Sequence, residues 1–245
     1  MAVDLEELIG RVEDSDISTI KRIVTGVLSI INDPQSTVKE LKELIEVDPP
    51  LTARVLKTAN SAYYSSGRRI GEIEQAVIWI GYAELKEIVL RQKVCELFQR
   101  KERIGLYSRP DLWIHSVAVA IMAKMICRRE FGERGENLYA AGILHDLGLI
   151  IEDQFLHEQF VEIVQYAGDK GISLLESEYR TLGFDHADIA GALAEEWNLP
   201  GDFVTSMGAH HDSFDAPESY ARMDIILFIA NLLAQRIGYG YGGLK

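Results

Sequence analysis

Two cysteines in 245 residues, Cys95 and Cys127, are too few for a disulfide framework. They also stand far from any Cys-x-x-Cys spacing, which sets aside thiolate zinc sites and dithiol redox chemistry. Both lie in apolar, helix-like surroundings and read as buried free thiols suited to a reducing cytoplasm. No apolar run reaches the roughly 18 residues of a membrane-spanning helix; the most hydrophobic stretch, Ile225 to Leu233, is broken by Asn231. Met1 to Gly10 is acidic, where an export signal is basic and then apolar. Positive charge is scarce as well. With 25 basic against 38 acidic residues the formal charge is -13, which repels phosphate backbones and anionic lipid, so neither nucleic acid nor membrane is an expected partner. Strand alternation, fixed-period repeats and low-complexity tracts are missing too, which argues against β architectures, solenoids and disordered tails.

What is present is helical period. Apolar residues recur at three and four, and the expected fold is all-α, a helical bundle of two packed lobes. Leu5, Leu8, Ile9 and Val12 make a first short stripe. Thr37 and Glu40 read as a capping box ahead of Val38, Leu41, Leu44 and Ile45. Pro49 suits a first turn, so Asp48 is the expected cap of a helix carrying Leu51, Val55, Leu56 and Ala59 and ending at Asn60-Ser61. Ser65 to Arg69 reads as a loop whose two arginines, Arg68 and Arg69, are solvated. Two helical stretches follow, Ala76 to Ile80 and Leu85 to Leu97, parted at Gly81. The charged segment Arg100 to Asp111, with Gly105 and Pro110, suggests a boundary between an N-terminal lobe, 1–108, and a C-terminal lobe, 109–245; a tight helix connection would look similar.

Five of the six histidines occur in the second lobe at intervals that allow convergence. His115 sits on a stripe with Ala118, Val119, Met122 and Ile126, so its ring points to the core. A lone histidine there is ordinarily a hydrogen-bonded core residue; its companions change the reading. His145-Asp146 closes the run Leu138 to Leu147, with Gly142 one turn earlier and Gly148 as a left-handed terminator. A buried aspartate is costly to desolvate unless a cation or an Asp-His hydrogen bond compensates it. His186 follows a capping Asp185 and opens a helix whose Ala187, Ala190, Gly191 and Ala194 allow close approach by another helix. His210-His211 ends the next helix, where a pair of histidines binds metal or is solvated beside the dipole. His157 has no matching partner and reads as a surface residue. Imidazole with carboxylate is a donor set for Fe, Mn, Ni, Co or Zn, and affinity order alone does not choose among them.

Several motifs in series then resemble the HD-related output domain, HDOD. These are Ile45 to Tyr64 with Asp48-Pro49-Pro50-Leu51 and Leu56 through Tyr64, Ala76 to Gly81, Trp113-Ile114-His115-Ser116, Ala141 through Gly148, His186 through Pro200, and His210-His211. The resemblance spans about 18–215 and implies an all-helical N-terminal lobe on an HD-like lobe, with a role in bacterial signal transduction. Hydrolases of the wider HD superfamily, including the HD-GYP cyclic-dinucleotide phosphodiesterases, hold divalent metals with such residues. By that similarity His115, His145 and Asp146 match one metal cluster, and Asp146, His186, His210 and His211 a second, with Asp146 as bridge.

Three positions depart from the catalytic pattern. Asn231 offers a neutral oxygen in the register where HD hydrolases have a ligand aspartate, Leu149 replaces the lysine of HD-GYP enzymes, and Asp212-Ser213-Phe214-Asp215 stands in place of Gly-Tyr-Pro. Phosphoester cleavage needs charge neutralisation on the phosphoryl group as well as a metal, so these changes bear on catalysis more than on binding. The leading expectation is a cytoplasmic signalling output domain with a divalent-metal site, acting on a signalling protein or small ligand. The alternatives are a metal-dependent phosphohydrolase and a metal-free scaffold whose histidines are core hydrogen-bonders. With no sensory segment recognisable, input is expected from another protein, a small ligand or a second copy.

Overall fold

The computed structural model describes residues 3–15, 17–64, 69–211 and 221–240, with the side chains of Thr19 and Ala221 left aside. The expected loop residues Ser65 to Arg68 and the Asp212 to Asp215 segment lie outside the described residues. The fold is all-α, as the helical period predicts, apart from one short hairpin.

Packing divides the chain into two compact units, one of residues 19–96 and one of residues 1–18 with 97–245. The smaller is built from most of α2 (Ile17–Asn32), then α3 (Val38–Glu46), α4 (Pro49–Ala59), α5 (Ile73–Ile80) and α6 (Tyr82–Val94). Its helix starts follow local chemistry. Thr37 and Glu40 form the reciprocal capping box of α3, each satisfying a backbone amide at the other's position. Asp48 caps α4 through the Leu51 amide, and its second oxygen meets Lys93 Nζ at 2.7 Å, fixing α4 to α6. The Asn60 side chain closes the exit of α4 by bonding both the amide and the carbonyl of Ile70. Gly81, at φ 93°, makes the corner between α5 and α6 that a side chain would strain. The core is aliphatic, with Val24, Leu41, Ile45, Leu51, Val55, Leu85 and Val89 fully buried.

The larger unit begins with α1 (Leu5–Glu13), which sequence reading groups with residues 1–108. Its stripe of Leu8, Ile9 and Val12 is buried, and two long-range bonds hold it in the larger unit: Arg11 to the Phe155 carbonyl and Trp197 Nε1 to Glu13. Sequence distance conceals such contacts. After residue 97 a two-residue hairpin, β1 (Arg103–Ile104) with β2 (Tyr107–Ser108), turns at Gly105. Strands so short leave no alternation to read. Ser108 caps α7 (Arg109–Ile126), which runs on through a π turn, Cys127–Phe131. Together they form the one described helix long and apolar enough to cross a bilayer, but α7 packs on helices of this unit and carries His115. Then come α8 (Glu136–Leu144), α9 (Leu147–Phe155), α10 (His157–Lys170), α11 (Leu174–Thr181), α12 (His186–Glu196), α13 (Gly201–Gly208) and α14 (Ala221–Arg236). Near the start of α7, Arg109 is buried and pairs with Asp153 of α9 at 2.5 Å.

Three helix seams are set by missing side chains. A Cβ on Gly142 would lie 2.5 Å from the Ala120 backbone, so α8 rides directly on α7. One on Gly148 would lie 2.0 Å from the His186 carbonyl oxygen, so α9 meets the first turn of α12 backbone to backbone. Gly191 of α12 faces Gly208 of α13 in the same way. Gly148 is thus not the left-handed terminator that its position after His145-Asp146 suggests. It sits within α9, and close approach is what excludes a side chain.

Candidate metal centre

The three seams bring five imidazoles round one carboxylate. His145 caps the end of α8 and Asp146 begins α9, so the turn between two helices directs both side chains inward. His115 comes from α7, His186 from the first turn of α12, and His210-His211 from the turn after α13. His145 Nε2 lies 3.1 Å and His115 Nε2 3.4 Å from Asp146 Oδ2. On the other oxygen, His210 Nε2 lies 3.3 Å and His186 Nε2 3.6 Å from Asp146 Oδ1. His211 joins through His186, their Nε2 atoms 2.9 Å apart. Within His115, His145 and Asp146, and within Asp146, His186, His210 and His211, one donor atom per residue lies within 4.8 Å of every other. All six named residues converge, five of them buried and His211 partly exposed.

The tautomers follow from backbone chemistry. A carbonyl only accepts, so His145 Nδ1 donates to Gly142 O at 2.9 Å and His210 Nδ1 donates to Met207 O at 2.7 Å. In the neutral rings the proton is thereby committed to Nδ1, leaving the Nε2 lone pairs aimed inward. His145 Nε2, His210 Nε2 and both Asp146 oxygens are buried with no hydrogen-bond partner. Lone pairs facing a buried carboxylate repel unless a cation lies between them, so this donor set fits a divalent metal. His115 Nδ1 lies 2.5 Å from the Tyr239 carbonyl oxygen, and Asn231 stands beside the ring, where it favours the protonated form against burial. Asn231 is therefore at the site, where its Oδ1 also accepts from Gln235.

The charge states of three rings agree with that geometry, and His186 is the exception. Burial pushes His210 down to about 4 and lowers His115 and His211, so these rings are neutral at pH 7, as metal ligation requires. Burial alone would raise Asp146; positive charge around it, from protonated imidazoles or from an ion among neutral ones, holds its carboxyl well below the usual carboxylate range. Burial would likewise lower His186; Glu178, by charge and hydrogen bond, pushes it up to about 9.

Glu178 is the residue that sequence reasoning missed. It is fully buried on α11, and Oε2 accepts from both His186 Nδ1, at 2.8 Å, and the His186 backbone amide, at 3.2 Å. The signal was present: Leu174, Ser177 and Glu178 form the buried i, i+3, i+4 stripe of α11, and a carboxylate on such a stripe needs a partner. Glu152 of α9 lies behind it, raised well above its ordinary value by burial and by Glu178. His157 is 43% exposed and bonds only locally, to Asp153, in keeping with a surface residue. Cys127 is buried and Cys95 partly so, and neither is in a disulfide.

A helical domain with a histidine-aspartate centre on converging helix ends is the class this geometry defines. The HDOD domain model matches residues 17–213, and the chain belongs to that family. Among solved structures it is similar to an HDOD domain protein from Geobacter sulfurreducens, 32% identical with a TM-score of 0.80, over 91% of this chain and 74% of that one. A protein of Shewanella amazonensis, provisionally named a phosphohydrolase, is 26% identical with a TM-score of 0.71, over 90% of this chain and 80% of that one. A Marinobacter aquaeolei protein, provisionally named for signal transduction, shares the fold at 19% identity and a TM-score of 0.78, over 98% of this chain and 56% of that one. Among curated proteins, an uncharacterized protein of Treponema pallidum (strain Nichols) is 24% identical over 89% of this chain, and uncharacterized protein YuxH of Bacillus subtilis (strain 168) is 26% identical over 48%. The chain spans 42% and 37% of their lengths.

Proposed function

We propose that this chain is a cytoplasmic signalling output domain whose HD-type centre holds a divalent metal and which acts by binding a partner protein or small ligand. The observation that carries the reading is the set of inward, unpartnered donors, His145 Nε2, His210 Nε2 and both oxygens of Asp146, closed off from solvent. Asp146, His186, His210 and His211 are the residues to hold the ion, with His115 and His145 offering a second position on the other Asp146 oxygen. Such an ion supplies Lewis-acid chemistry. The chain's own residues neutralise it, fix the ring tautomers and exclude water. Glu178 orients His186 by accepting a hydrogen bond from its Nδ1–H.

Binding is favoured over turnover by what stands beside the carboxylate. Leu149, one turn into α9, is fully buried and brings no charge for a phosphoryl group, and Asn231 contributes a neutral amide next to His115. The provisional name of the Shewanella amazonensis relative, 26% identical, supports a phosphohydrolase as the second reading, and the donor set would make it metal-dependent.

One experiment separates the two. Metal-replete protein is expected to retain stoichiometric metal by elemental analysis, to lose it on Asp146→Ala, and to leave generic phosphodiesters and cyclic dinucleotides intact. Turnover at ordinary enzyme rates, abolished by His145→Ala, would establish the phosphohydrolase instead. Wild-type protein free of metal after saturation and gel filtration would leave the histidines as core hydrogen-bonders.

A further inference from the structure

We propose that the outer face of α7 and α14 docks a second copy of this chain. The proposal does not rest on the metal reading. Each of these helices, packed together in the larger unit, has an apolar stripe turned outward as well as one turned in. On α7, Ile114, Ile121 and Met125 are 46% to 63% exposed. On α14 and the residue after it, Ile225, Ile229, Leu232, Leu233 and Ile237 keep helical spacing and are 39% to 59% exposed. The stripes meet in a groove of about 600 Å³, lined by Met122, Met125, Ile126, Leu233 and Ile237.

Area selects the occupant. Summed over the two stripes, those eight residues leave on the order of 700 Å² open, against the roughly 300–600 Å² of the largest apolar patch on a typical monomer. It is also close to the roughly 800 Å² that each partner gives to a stable interface. Charge points the same way. Two chains at -13 repel each other over most of their surfaces, yet no acidic residue occurs from Ile114 to Met125 or from Ile225 to Ile237. This is a face on which two copies meet at low electrostatic cost. Its rim carries both signs, Arg128 and Arg129 beside Glu130, as a two-fold contact between identical patches requires.

The test is sedimentation velocity on the full chain across a concentration series into the micromolar range, with far-UV circular dichroism on every variant. Wild type is expected to dimerise. Leu233→Glu, which places a charge in the groove, is expected to weaken the dimer about thirtyfold or more while the helical signature stays unchanged. Ile121→Gln on the other helix is the second variant should Leu233→Glu disturb folding. Ile78→Glu, at an 80% exposed apolar position of α5, is expected to leave the dimer intact. A wild type that stays monomeric throughout overturns the proposal and leaves the face to a different partner. So does a dimer that survives both groove variants.

Discussion

Replacing Gly148 with alanine drives one methyl group into the backbone of α12. An ideal Cβ there lies 2.0 Å from the His186 carbonyl oxygen, 2.7 Å from its carbonyl carbon and 2.8 Å from its Cα, whereas ordinary contact begins at 3.4 Å. All three neighbours are backbone or Cα atoms, so no side chain can rotate away. The shortfall at the oxygen is 3.4 minus 2.0, or 1.4 Å, and α9 and α12 must absorb it by separating or tilting. Overpacking of this kind costs about 1–3 kcal/mol and occasionally more. In a chain of this size each kcal/mol lowers the melting temperature by about 2–4 °C. Metal affinity is expected to suffer more than stability. Asp146 and His186 sit on opposite sides of the seam, and metal-ligand distances tolerate only about 0.2 Å. Gly168 supplies the control: it is exposed on α10, and a methyl added there meets nothing within 4 Å, so Gly168→Ala is a pure helix-propensity change. That change stabilises by up to about 1 kcal/mol. Thermal melts and elemental analysis of both variants decide the matter. Equal melting temperatures and equal metal content would refute the idea that this seam sets ligand spacing.

The remaining predictions concern charge at the same centre. In metal-free protein the folded pKa of His186 is raised to about 9. The stability contributed by its charged ring is therefore complete below the unfolded value near 6.5 and is lost as pH climbs through about 9. Melting temperatures in chelator are expected to fall over that window in wild type and to fall less in Glu178→Gln; an equally steep decline in the variant contradicts the assignment. Asn231→Asp places a carboxylate beside His115 and is expected to raise the metal-to-protein ratio measured after saturation, and an unchanged ratio would show that the His115 position takes no ion.

Local chemistry was legible in the sequence, and distance was not. The Thr37-Glu40 box, the Asp48-Pro49 start and the Asp185 cap are each written within four residues, so side-chain type and spacing suffice to place them. The convergence of the six residues was legible in the spacing of the histidines and in the resemblance to HD domains, since buried imidazole and carboxylate require partners. Glu178 obeys the same rule, yet its partner His186 lies on the next helix and nothing local points to it. Gly148 shows the other difficulty. Glycine after a helix end reads as a terminator, and only the passage of α12 behind it reveals that contact is the cause. The placement of α1 was hidden for a similar reason: its stripe announces burial without saying against what.

Of the six side chains at the centre, only His211 reaches solvent even in part. Among the described residues, the donor set therefore meets solvent at one ring. A chelator, an alkylating reagent or the side chain of a docking protein meets that imidazole before any other. The five buried donors behind it are reached only after that ring has been passed or displaced.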